Sequence, residues 1–353
     1  MHASSSTRAL VTGGTGLLGS HIAERLVARG DHVRALVRRS SATAFLESLG
    51  VELFRGDLAD PASCFGAMRG VGAVYHAAAK VGDWGTWREF QVGCLDATTN
   101  LATAATEAGV ERFVHISSTS AYGHPPDRGR PIDETAPLGQ DLWWAWDYYT
   151  LSKVESERLL WRMAGERGLR LTVIRPSWLF GERDRTTVAR LVTRLRRGGI
   201  PLIGRGDNPL SAIYAGEVAA AALLAAADPG SVGEAYNVTD QGRITQREFL
   251  DLFASASGAP PVRGRQPYPV VYAAAFALEA LGRLAGQIRP PLITRYATWL
   301  MGRAVSYSSE KARTKLGWRP ALGYRESIER AVRWYLDQEA ETTAAASRPG
   351  RRS

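Results

Sequence analysis

The stretch "RALVTGGTGLLGSHIAERL" constrains the fold more than any other part of the chain. An apolar run at 8–12 ends in a turn with glycines at 13, 16 and 19, and that turn opens straight into a helical pattern. Each glycine has a separate physical task. Gly13 permits a tight turn, Gly16 lets backbone approach a pyrophosphate, and Gly19 lets the helix pack closely on the sheet. A helix N-terminus also presents unpaired amides, which makes Leu17 and Leu18 the candidate phosphate donors. Turns use glycine freely, so the triplet alone says little. Its place between a first strand and a first helix makes nucleotide binding the stronger reading.

The rest of the chain supplies that context. Further β-rich runs lie at 32–37 ("HVRALV"), 51–56 ("VELFRG"), 73–78 ("AVYHAA"), 112–117 ("RFVHIS") and 169–175 ("LRLTVIR"), with helical patterns between them. Such alternation predicts an α/β fold, a doubly wound parallel sheet of Rossmann type with right-handed crossovers. After Gly181 the rhythm changes to helices, loops and short strands, with one more strand near 234–239 that is expected to rejoin the sheet. The expected organisation is a dinucleotide-binding unit at 8–180 and a smaller, interleaved, mostly helical substrate region at 181–338. Segments 1–7 and 339–353 lack a hydrophobic period and read as loose ends.

The end of the second strand chooses the nucleotide. An acidic residue there holds the ribose hydroxyls of NAD, whereas arginine accepts a 2′-phosphate. "RALVRRSS" puts Arg38 and Arg39 at that place, which favours NADP(H) and leaves NAD(H) as the other cofactor. The "GDLAD" turn sets Asp57 and Leu58 near the expected adenine edge, unless it only ends a strand.

Lys153, in "AWDYYTLSKVESERLL", is the only lysine between Lys80 and Lys311 in a chain that otherwise uses arginine. Tyr149 precedes it by four residues, so a helix puts both on one face. An ammonium near a phenol favours the ionised phenol, which suits a tyrosine to general acid/base work. A surface helix pair is the plainer reading, but it would use arginine here. "FVHISSTSAYG" ends the fifth strand at the carboxyl edge, where Ser118 can donate to a substrate carbonyl beside the tyrosine.

Taken together, "TGGTGLLG", "GDLAD", "YHAAA", "ISSTSAYG", "YTLSK", "RPSWLFG", "GEAYNV" and "KARTKLGWRP" resemble, in order and spacing, the extended short-chain dehydrogenases/reductases, within the NAD-dependent epimerase/dehydratase superfamily. The chain looks most like the 3β-hydroxysteroid dehydrogenase-like branch and is similar to bacterial 2-alkyl-3-oxoalkanoate reductases. The resemblance implies that Tyr149 is the acid/base, that Lys153 tunes it and binds the nicotinamide ribose, and that Ser118 polarises the carbonyl. It adds Thr15, Ala77, Ala79 and Pro176 to the cofactor-binding set, and brings Tyr149 and Lys153 into contact with the cofactor. One departure stands out: Cys94 in "CLDATTNL" replaces an asparagine that supports a water-linked proton relay in some members.

Trp143, Trp144 and Trp146 stand just before Tyr149, where they either line the substrate mouth or pack a lid on the core. An apolar wall suits a steroid, isoprenoid or acyl-chain ketone. The helical stretch 268–284 reads as core or pocket wall in preference to a membrane-surface helix, because its apolar residues are mostly alanine and Glu279 and Arg283 offer one charged pair. No apolar run approaches a membrane span, and the start of the chain lacks a signal-peptide core, so a cytoplasmic location is expected. Cys64 and Cys94 have neither metal-ligand nor redox spacing, and no metal is expected. Although the net charge is +9, the arginines are scattered among acids, which argues against a nucleic-acid partner. A homodimer through the helix of Tyr149 is expected by family analogy. Two other functions remain open: a nucleotide-sugar epimerase or dehydratase, with Arg183 and Arg205 for the diphosphate, and a non-catalytic NADP-sensing protein.

Overall fold

The fold is that of a computed structural model, which describes residues 8–346 apart from 128, 141, 143 and 241. Trp143 therefore lies outside the described residues. Seven strands form one sheet: β1 (Arg8–Thr12), β2 (Val33–Val37), β3 (Glu52–Arg55), β4 (Val71–His76), β5 (Arg112–Ile116), β6 (Leu171–Pro176) and β7 (Glu234–Val238). Their order is β7-β6-β5-β4-β1-β2-β3, and every neighbouring pair is parallel. The doubly wound reading is thus the observed one. The order reverses between β1 and β4, which opens a crevice at the carboxyl ends of those strands.

The strands are apolar because helices cover both faces. Leu10, Val11, Val74, Val114, Val173 and Val238 are all fully buried. On one face α1 (Leu17–Arg29) lays Ile22, Ala23 and Leu26 beside the alanine-rich helix Ala215–Ala227. The other face carries Pro61–Ala67, Ala97–Glu107 and α2 (Tyr148–Arg167), through Cys64, Leu101, Ala105, Leu160 and Met163.

The helix α2 starts where the Asp147 side chain accepts the Thr150 amide at 3.0 Å, and it ends at Gly168, whose φ of 70° is left-handed. It buries polar groups beside its apolar ones: Thr150, Lys153 and Glu157 face inward along with Val154, Leu160 and Met163. Buried polar groups must be paired to be tolerated. Glu157 accepts from Ser117 Oγ at 2.7 Å, Trp161 Nε1 at 3.0 Å and Arg175 Nε at 3.0 Å. Arg175, on β6, also donates to the Tyr122 hydroxyl at 2.7 Å, which donates in turn to Asn237 Oδ1 on β7 at 2.7 Å. One network thereby locks α2 to three neighbouring strands.

Beyond β6, Trp178–Phe180 pairs with Ala212–Tyr214, and helices Thr187–Arg196, Gln246–Ala256 and Tyr324–Ala346 enclose a separate core of Phe180, Val192, Phe249, Phe253, Ile328 and Val332. α3 (Tyr268–Leu284) and α4 (Arg295–Gly302) stand against the segment that precedes α2. The loose end expected from 339 is corrected in part, because the last helix runs on to Ala346. Glu339 is tied to Arg196 at 2.9 Å, and the alanines after it are strong helix formers.

Candidate active site

The glycine turn is built as tightly as the sequence requires. Gly13 has φ +70°, and a Cβ on it would meet the Ala77 and Ala78 backbone at 2.7–2.9 Å. A Cβ on Gly19 would lie 2.2 Å from the Gly13 carbonyl oxygen, so the first turn of α1 sits directly on the loop. Gly16 caps α1 without a side-chain acceptor, and the first turn carries no acid. The Leu17 and Leu18 amides at this helix start are thus unclaimed by any capping side chain, and Thr15 and Gly16 beside them are partly or fully exposed. These features fit a bound pyrophosphate.

The other expected cofactor residues lie along the same edge. Thr12 Oγ1 lies 2.7 Å from His76 Nδ1 and accepts the Ala78 amide at 3.3 Å, which joins the ends of β1 and β4 beside Ala77 and Ala79. Arg38 and Arg39 are exposed after β2 and form no ion pair among the described residues. Asp57 accepts its own turn's Ala59 amide at 2.9 Å, and the Leu58 carbonyl accepts Asn100 Nδ2 at 2.9 Å. Pro176 ends β6, buried opposite Val238.

Lys153 is buried and donates from Nζ to the Ile116 carbonyl at the end of β5, at 3.1 Å. Beneath it are two buried imidazoles, His76 and His115, with ring centres 5.4 Å apart. Burial, helped by the Lys153 charge, pushes the His76 pKa down to about 3. Burial, His76 and Lys153 also hold His115 well below its ordinary value. The floor of the site is therefore neutral and leaves Lys153 as its positive charge.

Ser118 accepts the Ser120 hydroxyl at 2.7 Å and the Ser120 amide at 3.1 Å. Both bonds use Ser118 as acceptor, so its own proton remains to be donated. Tyr296, from α4, lies beside Ser120 and stands edge-on to Tyr149, with ring centres 5.7 Å apart. Tyr296 thus gathers Ser118 and Tyr149 into one place. Burial first, then the neighbouring Tyr149 and Asp147, raise its hydroxyl pKa well above the ordinary phenol value, so it is a neutral donor.

Aromatic rings roof this cluster. Trp144 is buried and stacks on His124 at 3.6 Å, with Trp299 edge-on to both. His124 Nε2 lies 2.6 Å from Asp147 Oδ2, the residue that caps α2. Trp146 has φ +67°, a strained conformation for a bulky residue, and its ring stacks on Phe276 of α3 at 6.3 Å. Arg283 Nη2 donates to the Trp146 carbonyl at 3.3 Å, and Arg295 Nη2 donates to the Ala145 carbonyl at 2.7 Å. The cavity between Trp144, Asp147, Glu279 and Tyr296 holds only about 10 Å³. A larger one of about 240 Å³, lined by Leu195, Ile200 and Val262, contains none of the site residues.

Two expectations about charge change. Glu279 pairs with Arg295 at 2.7 Å rather than with Arg283. Arg183 is held by Glu24 at 2.7 Å and by Ser20 at 2.8 Å, and Arg205 by Asp207 at 2.9 Å. Cys94 lies in a π-helical turn, Gln91–Asp96, and its Sγ reaches the Lys80 carbonyl at 3.7 Å. Ser120, Tyr296, His124 and Glu157 escaped the sequence reading. Only Ser120, inside "SSTS", carried a local signal.

Residues 9–239 match the model of the NAD dependent epimerase/dehydratase family. A 2-alkyl-3-oxoalkanoate reductase of Stenotrophomonas maltophilia is 32% identical, covering 91% of this chain and 97% of that one. A 4-hydroxy-2-methyl-3-oxo-4-farnesyl-3,4-dihydroquinoline-1-oxide ketoreductase of Stigmatella aurantiaca is 31% identical over 91% and 95%. Among solved structures, a UDP-glucose 4-epimerase of Thermus thermophilus in complex with NAD is 27% identical with a TM-score of 0.73, covering 94% of this chain and 99% of the other.

Proposed function

The chain belongs to the NAD dependent epimerase/dehydratase family, and as an oxidoreductase of that family we propose that it interconverts a 3-oxo and a 3-hydroxy group on a hydrophobic substrate. The substrate class is a 2-alkyl-3-oxo acid or a steroid- or sterol-like ketone, and NADP(H) is the preferred cofactor. The observation that carries this reading is the placing of Tyr149 and of the Ser118–Ser120 pair around Tyr296, under a roof of Trp144 and Trp299. Such a wall suits an apolar ketone. Of the arginines that a sugar diphosphate would need, Arg183 is held by Glu24 and Ser20.

The glycine turn and the start of α1 would hold the pyrophosphate, Arg38 the 2′-phosphate, and Lys153 the nicotinamide ribose. A bound nicotinamide supplies or accepts the hydride. Ser118 donates its free proton to the carbonyl oxygen. The Tyr149 hydroxyl gives that oxygen a proton on reduction and takes it back on oxidation. The 181–338 region closes over the substrate and excludes water.

The test is NADPH consumption, with NADH in parallel, against 2-alkyl-3-oxo acids and 3-ketosteroids. Tyr149→Phe should lower turnover by ~100-fold or more while nucleotide binding is retained. Equal rates for wild type and variant would overturn the reading.

A further inference from the structure

Of the large apolar side chains left exposed among the described residues, seven of ten lie between 270 and 292: Val270, Phe276, Leu278, Leu281, Leu284, Ile288 and Leu292. On α3 the exposed residues Val270, Ala273, Ala274, Ala277, Leu278, Leu281 and Leu284 fall at helical spacing and form one apolar stripe without a charge. The inward face is the polar one. Ala275, Glu279 and Gly282 are buried there, and Glu279 receives the Arg295 amide at 2.6 Å. A surface helix ordinarily points the other way, with its charges in water. Leu281, Leu284 and Ile288 are 63%, 86% and 94% exposed, which leaves the stripe uncovered by the described residues.

The charges around the stripe say what covers it. In 268–303 the sole acid, Glu279, is buried, while Arg289 and Arg303 are exposed. Arg303 lies over the Tyr268 ring at 4.6 Å, at the start of α3. Arg194 binds the Leu292 carbonyl at 2.7 Å beyond its other end, and its pKa is lowered by burial first and then by nearby Arg190. Positive charge thus brackets the apolar stripe. A second copy of the chain would meet it with the same charges, whereas an anionic lipid surface is complementary.

We propose that the α3 face docks the protein on an anionic lipid surface. The same helix also packs on the segment before α2, where Arg283 donates to the Trp146 carbonyl and Phe276 stacks on Trp146 beside the site. Docking would therefore put the entrance next to the phase where a hydrophobic ketone dissolves. This last step rests on the proposed substrate class, whereas docking itself does not.

The experiment is flotation of the purified full chain, without cofactor or substrate, on vesicles of phosphatidylcholine with 30% phosphatidylglycerol and on phosphatidylcholine alone. The wild type should float with the anionic vesicles. High salt should release it, and Leu281→Glu/Leu284→Glu/Ile288→Glu should cut its partition ~10-fold or more. That variant should melt like the wild type and turn over a water-soluble ketone at the same rate. Absence of wild-type flotation on anionic vesicles would overturn the proposal. So would a dimer in light scattering that the same three substitutions dissociate, since a second copy would then be the occupant.

Discussion

Tyr296 stands edge-on to Tyr149 at 5.7 Å, with the ring planes at 74°, although α4 and α2 lie far apart in the chain. The contact makes the helical C-terminal region a wall of the site. Tyr296 also stands beside Ser120, whose hydroxyl donates to Ser118.

Ser120→Ala should then lower kcat by ~10-fold, the loss expected for a hydrogen bond of about 1.4 kcal/mol, with the KM for cofactor unchanged. Tyr296→Phe, which keeps the ring, should act in the same direction but less. The double variant should fall short of the product of the two effects. Additive losses in steady-state kinetics would separate the two hydroxyls.

On the proposed NADP(H) preference, Arg38→Ala/Arg39→Ala should raise the KM for NADPH by ~10-fold or more and change that for NADH by less than ~2-fold, since NADH carries no 2′-phosphate for those charges. Parallel losses for both nucleotides would assign the arginines to the loop alone.

Glu157 is fully buried and accepts Ser117, Trp161 and Arg175 at once. Glu157→Gln should cost ~3 kcal/mol in urea unfolding, since it leaves Arg175 buried without its counter-charge. Arg175→Leu combined with it should cost less than the two single losses added. A double variant at their full sum would show that the residues do not act as a pair.

Three buried histidines make stability depend on pH. His21 and His76 are pushed down to about 3, by burial first and then by Arg183 and Lys153 respectively, and His115 falls in the same direction. In the unfolded chain each takes up a proton below ~6.5, so between ~6.5 and ~3 the unfolded state binds more protons. Stability must then fall as pH drops through that window, by up to ~1.4 kcal/mol per pH unit for each histidine. Urea midpoints at pH 7.5 and 5.0 measure this, and His76→Gln should shrink the difference. Equal midpoints would contradict it.

Most of the sheet was legible because its strands are apolar on both faces and the first turn leaves room for glycine alone at Gly13 and Gly19. Tyr149 and Lys153 stood out because a lysine stands where the chain elsewhere prefers arginine. Tyr296 did not, since only tertiary packing brings α4 to α2. The inward face of α2 was hidden for another reason: Lys153 and Glu157 look like surface residues until Ile116 and Arg175 appear as their partners. On α3 the periodicity was visible but its direction was not. A stripe of alanine and leucine fits a core as well as a surface, and the partner of Glu279, Arg295, arrives from beyond the helix.

The return of β7 to the edge of β6 also orders events during synthesis. A nascent chain that has emerged only as far as Gly181 already carries the glycine turn, Ser118, Tyr149 and Lys153, yet the outer ladder of β6 has nothing to pair with and Tyr122 lacks Asn237. Such an open edge invites pairing with other chains. The half that looks self-sufficient is thus the half that must wait on the ribosome, and a fragment cut after it should aggregate instead of binding nucleotide.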